Sequence, residues 1–326
     1  MGFQKLGKVT SEVIFLIYLK DDEIIKENTA CALGLFDGVH RGHQLVIAKA
    51  CDHKNQGLRS AVFTFKTQTV TTKGNNGSIE MILTDSGKYR RIEKMGVDYL
   101  YSPDFQKYRD MSCEDFVKKV LKEKLNCKVV VCGTDFRFGK AARGDHNILQ
   151  ELGEKYGIKV EVVRQLCDNN GVISSTVIRS AIRAGEIEIA NSMLGYTFFM
   201  ELAVEHGRMI ARKLEHPTIN QRIPQTQVLP KFGVYCTRVL IGQKQYAGVT
   251  NVGVKPTFGM HTSPLAETYI IGYKGDLYGK TVEVRYDHFI REERKFDDPQ
   301  ELKKQINEDT RQAQQYYKGT GAMLNE

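Results

Sequence analysis

Up to about residue 185 the chain alternates short apolar runs with helical patterns, and beyond about residue 195 it becomes a succession of strands punctuated by Gly and Pro. The first regime is that of βαβ units, in which helices return the chain between parallel strands. Strands are expected over 13–19, 30–35, 60–65, 97–101, 128–132 and 159–163, and helices over 41–55, 85–95, 112–126 and 147–156. The polar, Gly/Asn/Thr-rich stretch 66–78 reads as a loop. Helical patterns over 175–184 and on to about 194 close this half. The second regime offers strands over 198–205, 233–241, 245–252, 267–273 and 281–289, then a helix over 299–316, a pattern that fits an antiparallel barrel. The expected division is 1–187 and 188–326.

The pattern over 112–126 shows how local chemistry sets an element. Ser112 and Asp115 resemble a capping box. Phe116, Val117, Val120, Leu121 and Leu125 then recur at helical spacing and build one apolar face.

Charge narrows the partner. The chain carries 47 Lys+Arg against 39 Asp+Glu, a net charge of +8. Residues 1–200 hold 29 basic and 24 acidic side chains and residues 201–326 hold 18 and 15, so the excess is spread rather than gathered into an arm. That favours a small polyanion such as a nucleotide over nucleic acid. Seven cysteines, an odd number with no C-x-x-C pair, read as reduced thiols of a cytoplasmic protein. The longest apolar run, 13–19, is too short to span a membrane.

Gly34-Leu35-Phe36-Asp37-Gly38-Val39-His40-Arg41-Gly42-His43 stands where a strand gives way to a helix. Gly38 and Gly42 permit tight turns, and the helix N-terminus beyond them offers unpaired N–H groups to an anion. His40 and His43, three apart, face one side and can both donate to phosphate oxygens. A zinc site would need a third ligand or H-E-x-x-H, and neither is evident.

This decapeptide resembles the ATP-binding motif of bacterial FAD synthetases, members of the H-x-G-H nucleotidyltransferase superfamily. Gly133-Thr134-Asp135-Phe136-Arg137-Phe138-Gly139, then Arg143-Gly144-Asp145, and Ile173-Ser174-Ser175-Thr176-Val177-Ile178-Arg179 follow in that family's order. The resemblance implies a Rossmann-like α/β nucleotidyltransferase domain that adenylylates FMN with ATP. It implies that His40 and His43 stabilise the α/β-phosphates, and that Gly34, Phe36, Asp37 and Gly38 shape the ATP loop. By the same resemblance, Ser174, Ser175, Thr176 and Arg179 hold the triphosphate, Asp135 and Phe136 line the nucleotide or flavin pocket, and Mg²⁺ neutralises pyrophosphate. After Thr64-Phe65 the family carries a segment ending in His-Pro, whereas here the residues are Lys66-Thr67-Gln68-Thr69.

The second half resembles the riboflavin kinase module fused to FAD synthetase in bacteria. His216-Pro217-Thr218-Ile219-Asn220 is similar to its P-T-A-N motif. Phe232-Gly233-Val234-Tyr235, Gly248-Val249-Thr250-Asn251-Val252-Gly253, Pro256-Thr257-Phe258, Glu267-Thr268-Tyr269-Ile270, Asp276-Leu277-Tyr278-Gly279 and Ile290-Arg291-Glu292-Glu293 follow in order. The resemblance implies an antiparallel barrel with a C-terminal helix, Glu267 as general base, Thr218 and Asn220 as Mg²⁺ and phosphate ligands, and Arg291 contacting flavin or its phosphate. The family places glycines before P-T-A-N where this chain has Leu202, Ala211 and Glu215, keeping only Gly207. The expected partners are FMN, riboflavin and ATP, with no nucleic acid and no membrane. Two alternatives stay open: a monofunctional FAD synthetase with a degenerate kinase module, and a non-catalytic flavin-binding protein of this fold. A further one, an adenylyltransferase for another nucleotide, is disfavoured by the second-half motifs.

Overall fold

The computed structural model describes residues 16–69, 80–169, 171–206, 218–254, 264–296, 298–321 and 324. Its contacts divide into two compact units: residues 1–35, 45–65 and 89–163 form one, and 36–44, 66–88 and 164–326 the other. The second unit therefore takes in the decapeptide from Phe36 onward and the segment leading to Lys88, together with the whole second half of the chain.

The first unit is built on strands β1 (Ile17–Tyr18), β2 (Thr29–Leu33), β3 (Arg59–Phe63), β4 (Tyr99–Tyr101), β5 (Cys127–Gly133) and β6 (Lys159–Val163). They pair in the order β1-β4-β3-β2-β5-β6, every pair parallel. The central β2, Thr-Ala-Cys-Ala-Leu, is buried throughout, as a parallel strand covered on both faces must be. Chain order runs one way from β2 to β4 and the other way from β5 to β6, so β2 and β5 flank the switch point where open α/β sheets bind ligands beyond their carboxyl ends. The decapeptide continues from the carboxyl end of β2, and the Gly133–Gly139 motif from that of β5.

The expected 112–126 helix runs over Cys113–Asp115 and continues more widely wound over Phe116–Lys124, closing with a bond from the Leu125 N–H to the Val120 carbonyl. Ser112 caps it, its hydroxyl accepting from the Asp115 N–H at 3.0 Å. Its apolar face enters a core with Leu33, Phe63, Tyr101 and Val130.

The second unit carries a short antiparallel pair, β7 (Cys167–Asp168) and β8 (Gly171–Val172), and its strands β9 (Phe199–Glu205), β10 (Thr218–Arg222), β11 (Gly233–Ile241), β12 (Lys244–Val254), β13 (Pro264–Ile270) and β14 (Thr281–Arg291) close into a barrel in the order β10-β13-β12-β11-β14-β9. Val252, Ala266, Ile270, Val284 and Tyr286 fill it. On the outside, Val234, Cys236, Ala247 and Val249 pack with Ala313 and Tyr317 of the C-terminal helix, Pro299–Thr320. Strand β10 has no counterpart in the strand pattern read from the sequence, because Thr-Ile-Asn-Gln-Arg carries only one apolar residue. Leu202 lies within β9, buried in the barrel core, so the family glycine it replaces is filled here by packing. Ala211, Glu215, Gly207, His216, Pro217 and Pro256-Thr257-Phe258 lie outside the described residues.

Candidate active sites

The decapeptide turn is strained. Phe36 sits in the left-handed region at φ 52°, Gly38 at φ 76° and Val39 at φ 37°. For a non-glycine residue that conformation costs about 1–3 kcal/mol and persists only where surroundings enforce it. Gly38 has a second reason to be glycine: an added Cβ would lie 2.9 Å from Ile82 Cδ1.

Asp37 is the enforcing group. It is buried, its Oδ1 accepts from the Ile82 N–H at 2.8 Å, and its Oδ2 pairs with Arg179 Nη1 at 2.6 Å. The Asp37 carbonyl accepts from Ser175 Oγ at 2.9 Å. Burial pushes the Asp37 carboxyl up from its ordinary range, and Arg179 and Lys88 oppose that push. Two side chains hold the back of the turn: Tyr196 Oη donates to the Gly38 carbonyl at 2.5 Å, and Gln44 Nε2 donates to the Val39 and Leu194 carbonyls at 2.8 Å each. Tyr196→Phe is expected to cost about 1 kcal/mol of stability, read by urea unfolding, through the loss of one neutral hydrogen bond.

His40 and His43 follow. His40 is buried, and its Nδ1 accepts from the His43 N–H at 3.3 Å. The two rings stack with centroids 3.5 Å apart, and the Phe36 ring meets His43 edge-on at 5.3 Å. Burial holds the His43 imidazole well below its usual range, with His40 and Lys88 adding to the effect. His43 is therefore neutral at pH 7. Its Nδ1 is sealed and has no hydrogen-bond partner among the described residues.

Helix α5 (Ser175–Ala184), which follows α1 (Arg41–Asp52), α2 (Asp85–Glu93), α3 (Cys113–Asp115) and α4 (His146–Tyr156) in the chain, points its N-terminus toward this turn through Ser175 and Arg179. Ser174 caps it, accepting from the Val177 N–H at 3.4 Å, and Arg179 Nη2 donates to Thr176 Oγ1 at 3.3 Å. Phe36, Asp37, Gly38, His40, His43, Ser174, Ser175, Thr176 and Arg179 thus gather in one unit. Gly34, Asp135 and Phe136 belong to the other. There Gly34 N–H donates to the Phe63 carbonyl, and Phe136 stacks on Phe138 at 5.7 Å at the end of an aromatic seam that runs through Phe116 and Phe63 to Phe65. Asp135 is exposed.

The second site is assembled by strand register. Asn220 pairs with Glu267 and Glu267 with Asn251, while Asn220 also faces Glu205. Directly paired residues point to the same face of a sheet. The row alternates with the inward-facing Val252 and Ala266, so Asn220, Glu267 and Asn251 stand together on the outside of the barrel. Thr218 lies two residues along the same face of the strand. Asn220 is buried, yet its Oδ1 has no hydrogen-bond partner among the described residues. Asn251 Nδ2 donates to Glu293 Oε1 at 3.2 Å.

Arg291 continues this row through Val234. Its fork grips Asp309 of the C-terminal helix, Nε to Oδ1 at 2.9 Å and Nη2 to Oδ2 at 2.7 Å, and Gln305 donates to the same carboxylate at 2.9 Å. Arg291 thereby fixes the helix against β14. Asp309 is 3% exposed, so Asp309→Ala leaves a largely enclosed guanidinium unpaired. It is expected to cost about 3 kcal/mol, measured by urea unfolding.

Sequence reasoning did not assign roles to Lys88, Tyr196 or Asn251. Lys88 sits in the polar run Asp85-Ser-Gly-Lys-Tyr-Arg-Arg, which reads as a solvated helix face, although its side chain is fully buried. Asn251 falls within the motif Gly248-Val249-Thr250-Asn251-Val252-Gly253, but only the β12–β13 register puts it beside Glu267.

Comparison with known proteins finds a family for each half of the chain. The family model for FAD synthetase matches residues 22–177 and that for riboflavin kinase matches 194–317. The curated bifunctional riboflavin kinase/FMN adenylyltransferases of Buchnera aphidicola from Acyrthosiphon pisum and of Bacillus subtilis are 35% and 33% identical, each aligned over 90% of this chain and 95% of its own length. That of Escherichia coli K12 is 31% identical, over 90% of this chain and 94% of its own. A solved Streptococcus pneumoniae chain described as a macrolide-efflux protein superposes with a TM-score of 0.81 at 28% identity, over 92% of this chain and 99% of its own. No described helix here is long and apolar enough to cross a membrane. With the Rossmann-like sheet and closed barrel in place and the relatives aligned nearly end to end, this chain belongs to the bifunctional riboflavin kinase/FMN adenylyltransferase family.

Proposed function

We propose that the chain performs two ATP-dependent transfers on flavins at two separate sites: phosphorylation of riboflavin to FMN, and adenylylation of FMN to FAD. The register that sets Asn220, Glu267 and Asn251 side by side is the observation that carries this reading, because it supplies the second chemistry.

In adenylylation an FMN phosphate oxygen bonds to the α-phosphorus of ATP as the bond to the β-phosphate bridge breaks and pyrophosphate leaves. Such a step rests on positioning and on charge held ready for the phosphate oxygens. The neutral His43 ring supplies a donor without setting a charged imidazolium against the stacked His40 ring, which its burial disfavours. The N–H groups opening α5 supply further donors. Arg179 acts partly through Asp37, which locks the strained turn.

In the kinase half Glu267 takes the proton of the ribityl hydroxyl as that oxygen bonds to the γ-phosphorus and ADP leaves. The orphaned Asn220 Oδ1 and the neighbouring Thr218 hydroxyl form an oxygen donor set that suits a hard cation. Mg²⁺ held there would neutralise phosphate charge. Asn251, the row's third member, is held by Glu293, and Arg291 braces the C-terminal helix beside it. FMN, riboflavin and ATP are thus the small-molecule substrates, and the chain acts in the cytoplasm.

The test is a product assay with ATP, Mg²⁺ and either flavin. FMN from riboflavin and FAD from FMN support the reading. FAD without FMN selects a monofunctional FAD synthetase, and flavin binding without turnover of either kind selects a non-catalytic protein.

A further inference from the structure

Of the motif Ile290-Arg291-Glu292-Glu293, the chemistry above leaves Glu293 without a role. Three consecutive residues at the end of β14 fasten to three different elements. Arg291 grips Asp309 of the C-terminal helix, Glu292 Oε1 lies 2.9 Å from Lys231 Nζ ahead of β11, and Glu293 Oε1 accepts from Asn251 Nδ2 at 3.2 Å on β12. The first two contacts already anchor the segment, so its attachment does not depend on the third. That third contact is made over bare backbone. An added Cβ at Gly253 would overlap Glu293 Oε1 and lie 2.6 Å from its Cδ and 2.9 Å from its Oε2. Gly253 is not among the glycines with positive φ, so it is the space above it, not its conformation, that a side chain would violate. It stands two residues from Asn251 on the same face of β12.

We propose that Glu293 is a positioning residue for riboflavin phosphorylation: its carboxylate, seated over Gly253, draws the Asn251 amide nitrogen toward itself and keeps that amide from donating to Glu267. This rests on the kinase reading above. Asn251 and Glu267 are directly paired across β12 and β13, and the Cβ atoms of such a pair stand about 5 Å apart, within reach of one another's side chains. An amide has donors on one side and an acceptor on the other, whereas a carboxylate only accepts. Asn251 can therefore meet Glu293 only through Nδ2, as it does, and its oxygen is turned elsewhere. Turned over, the amide would set its oxygen against the Glu293 carboxylate with no proton between them. Released from Glu293, it could donate to Glu267 and occupy an oxygen that must receive the ribityl proton. Glu293 holds the amide against this competition, and Gly253 leaves the room in which it does so.

The experiment measures FMN formation from riboflavin and ATP with Mg²⁺ in the unaltered protein, Glu293→Met, Glu293→Gln and Gly253→Ala, with FAD formation from FMN as a parallel check. Glu293→Met is expected to lower kcat about 10-fold, the size of one hydrogen bond to a charged group, with KM for riboflavin and ATP little changed. Gly253→Ala, which evicts the carboxylate without altering it, should do the same. Glu293→Gln keeps an acceptor oxygen and should retain most of the activity, and FAD formation should be unchanged throughout. In an Asn251→Ala background Glu293→Met should have no further effect, because Glu293 acts through Asn251 alone. A Glu293→Met protein of unaltered kcat would overturn the proposal. So would a Glu293→Gln protein as poor as Glu293→Met, or a loss that adds in full to that of Asn251→Ala, since either would make Glu293 a support of the segment and not of the amide. Should Glu293→Met fail to fold, Glu293→Ala decides in the same way. A second readout is the Asn251 side-chain amide signal followed by NMR, expected to move in Glu293→Met and to stay near its place in Glu293→Gln. An amide signal unmoved in Glu293→Met overturns the proposal even if the unaltered protein makes no FMN, a result that would instead sink the kinase reading.

Discussion

His43→Ala is expected to lower FAD formation from FMN and ATP by roughly 1,000-fold, the loss seen when a preorganised donor to developing charge is removed. Riboflavin phosphorylation by the same protein should continue at its original rate. The size of the effect follows from how the side chain is held. Its ring is clamped between the His40 ring at 3.5 Å and the edge of Phe36 at 5.3 Å, so a water molecule entering the vacated space would find no fixed orientation. The sparing of the kinase follows from placement: the Asn220–Glu267–Asn251 row stands on the barrel, built by strand register and not by the decapeptide turn. Because burial holds His43 below the ordinary imidazole range, the acid limb of adenylylation that reports its protonation should lie below pH ~6.5, the unperturbed value. Quantifying FAD and FMN by chromatography in parallel reactions checks both halves.

Glu267→Gln should produce the reverse pattern, a loss of roughly 100- to 10,000-fold in FMN formation, the span of a positioned general base. FAD formation from supplied FMN should persist. Gln keeps the size and the cross-strand neighbours of Glu267, so the barrel should fold normally. What the substitution removes is the proton acceptor beside Asn220 and Asn251. Loss of both activities in a folded Glu267→Gln protein would mean that the chemistry is not divided in this way.

The alternation of strand and helix patterns was enough to give the parallel sheet, since strands such as Lys159–Val163 and helices such as Ser175–Ala184 carry their periodicity on their face. The motif at 34–43 was legible for a related reason: glycines at a strand-to-helix turn have few other uses. Other features stayed hidden because they arise between distant segments. Strand β10 is polar outside and held by pairing to β13 and β9, so its five residues carry no strand pattern of their own. The register that unites Asn220, Glu267 and Asn251 joins positions far apart in the chain. The burial of Lys88 depends on a strap fastened to residues 226–228. Arg291 matched a family motif, but its ion pair with Asp309, formed across the C-terminal helix, could be found only in the structure.

The division of labour is tested most directly by mixing. Riboflavin, ATP and Mg²⁺ are supplied to His43→Ala alone, to Glu267→Gln alone and to an equimolar mixture, and FAD is measured. Each variant alone should fail, the first stopping at FMN and the second leaving riboflavin untouched. The mixture should make FAD, because FMN released from one protein is adenylylated by the other. A mixture of two folded variants that makes no FAD would contradict two independent sites.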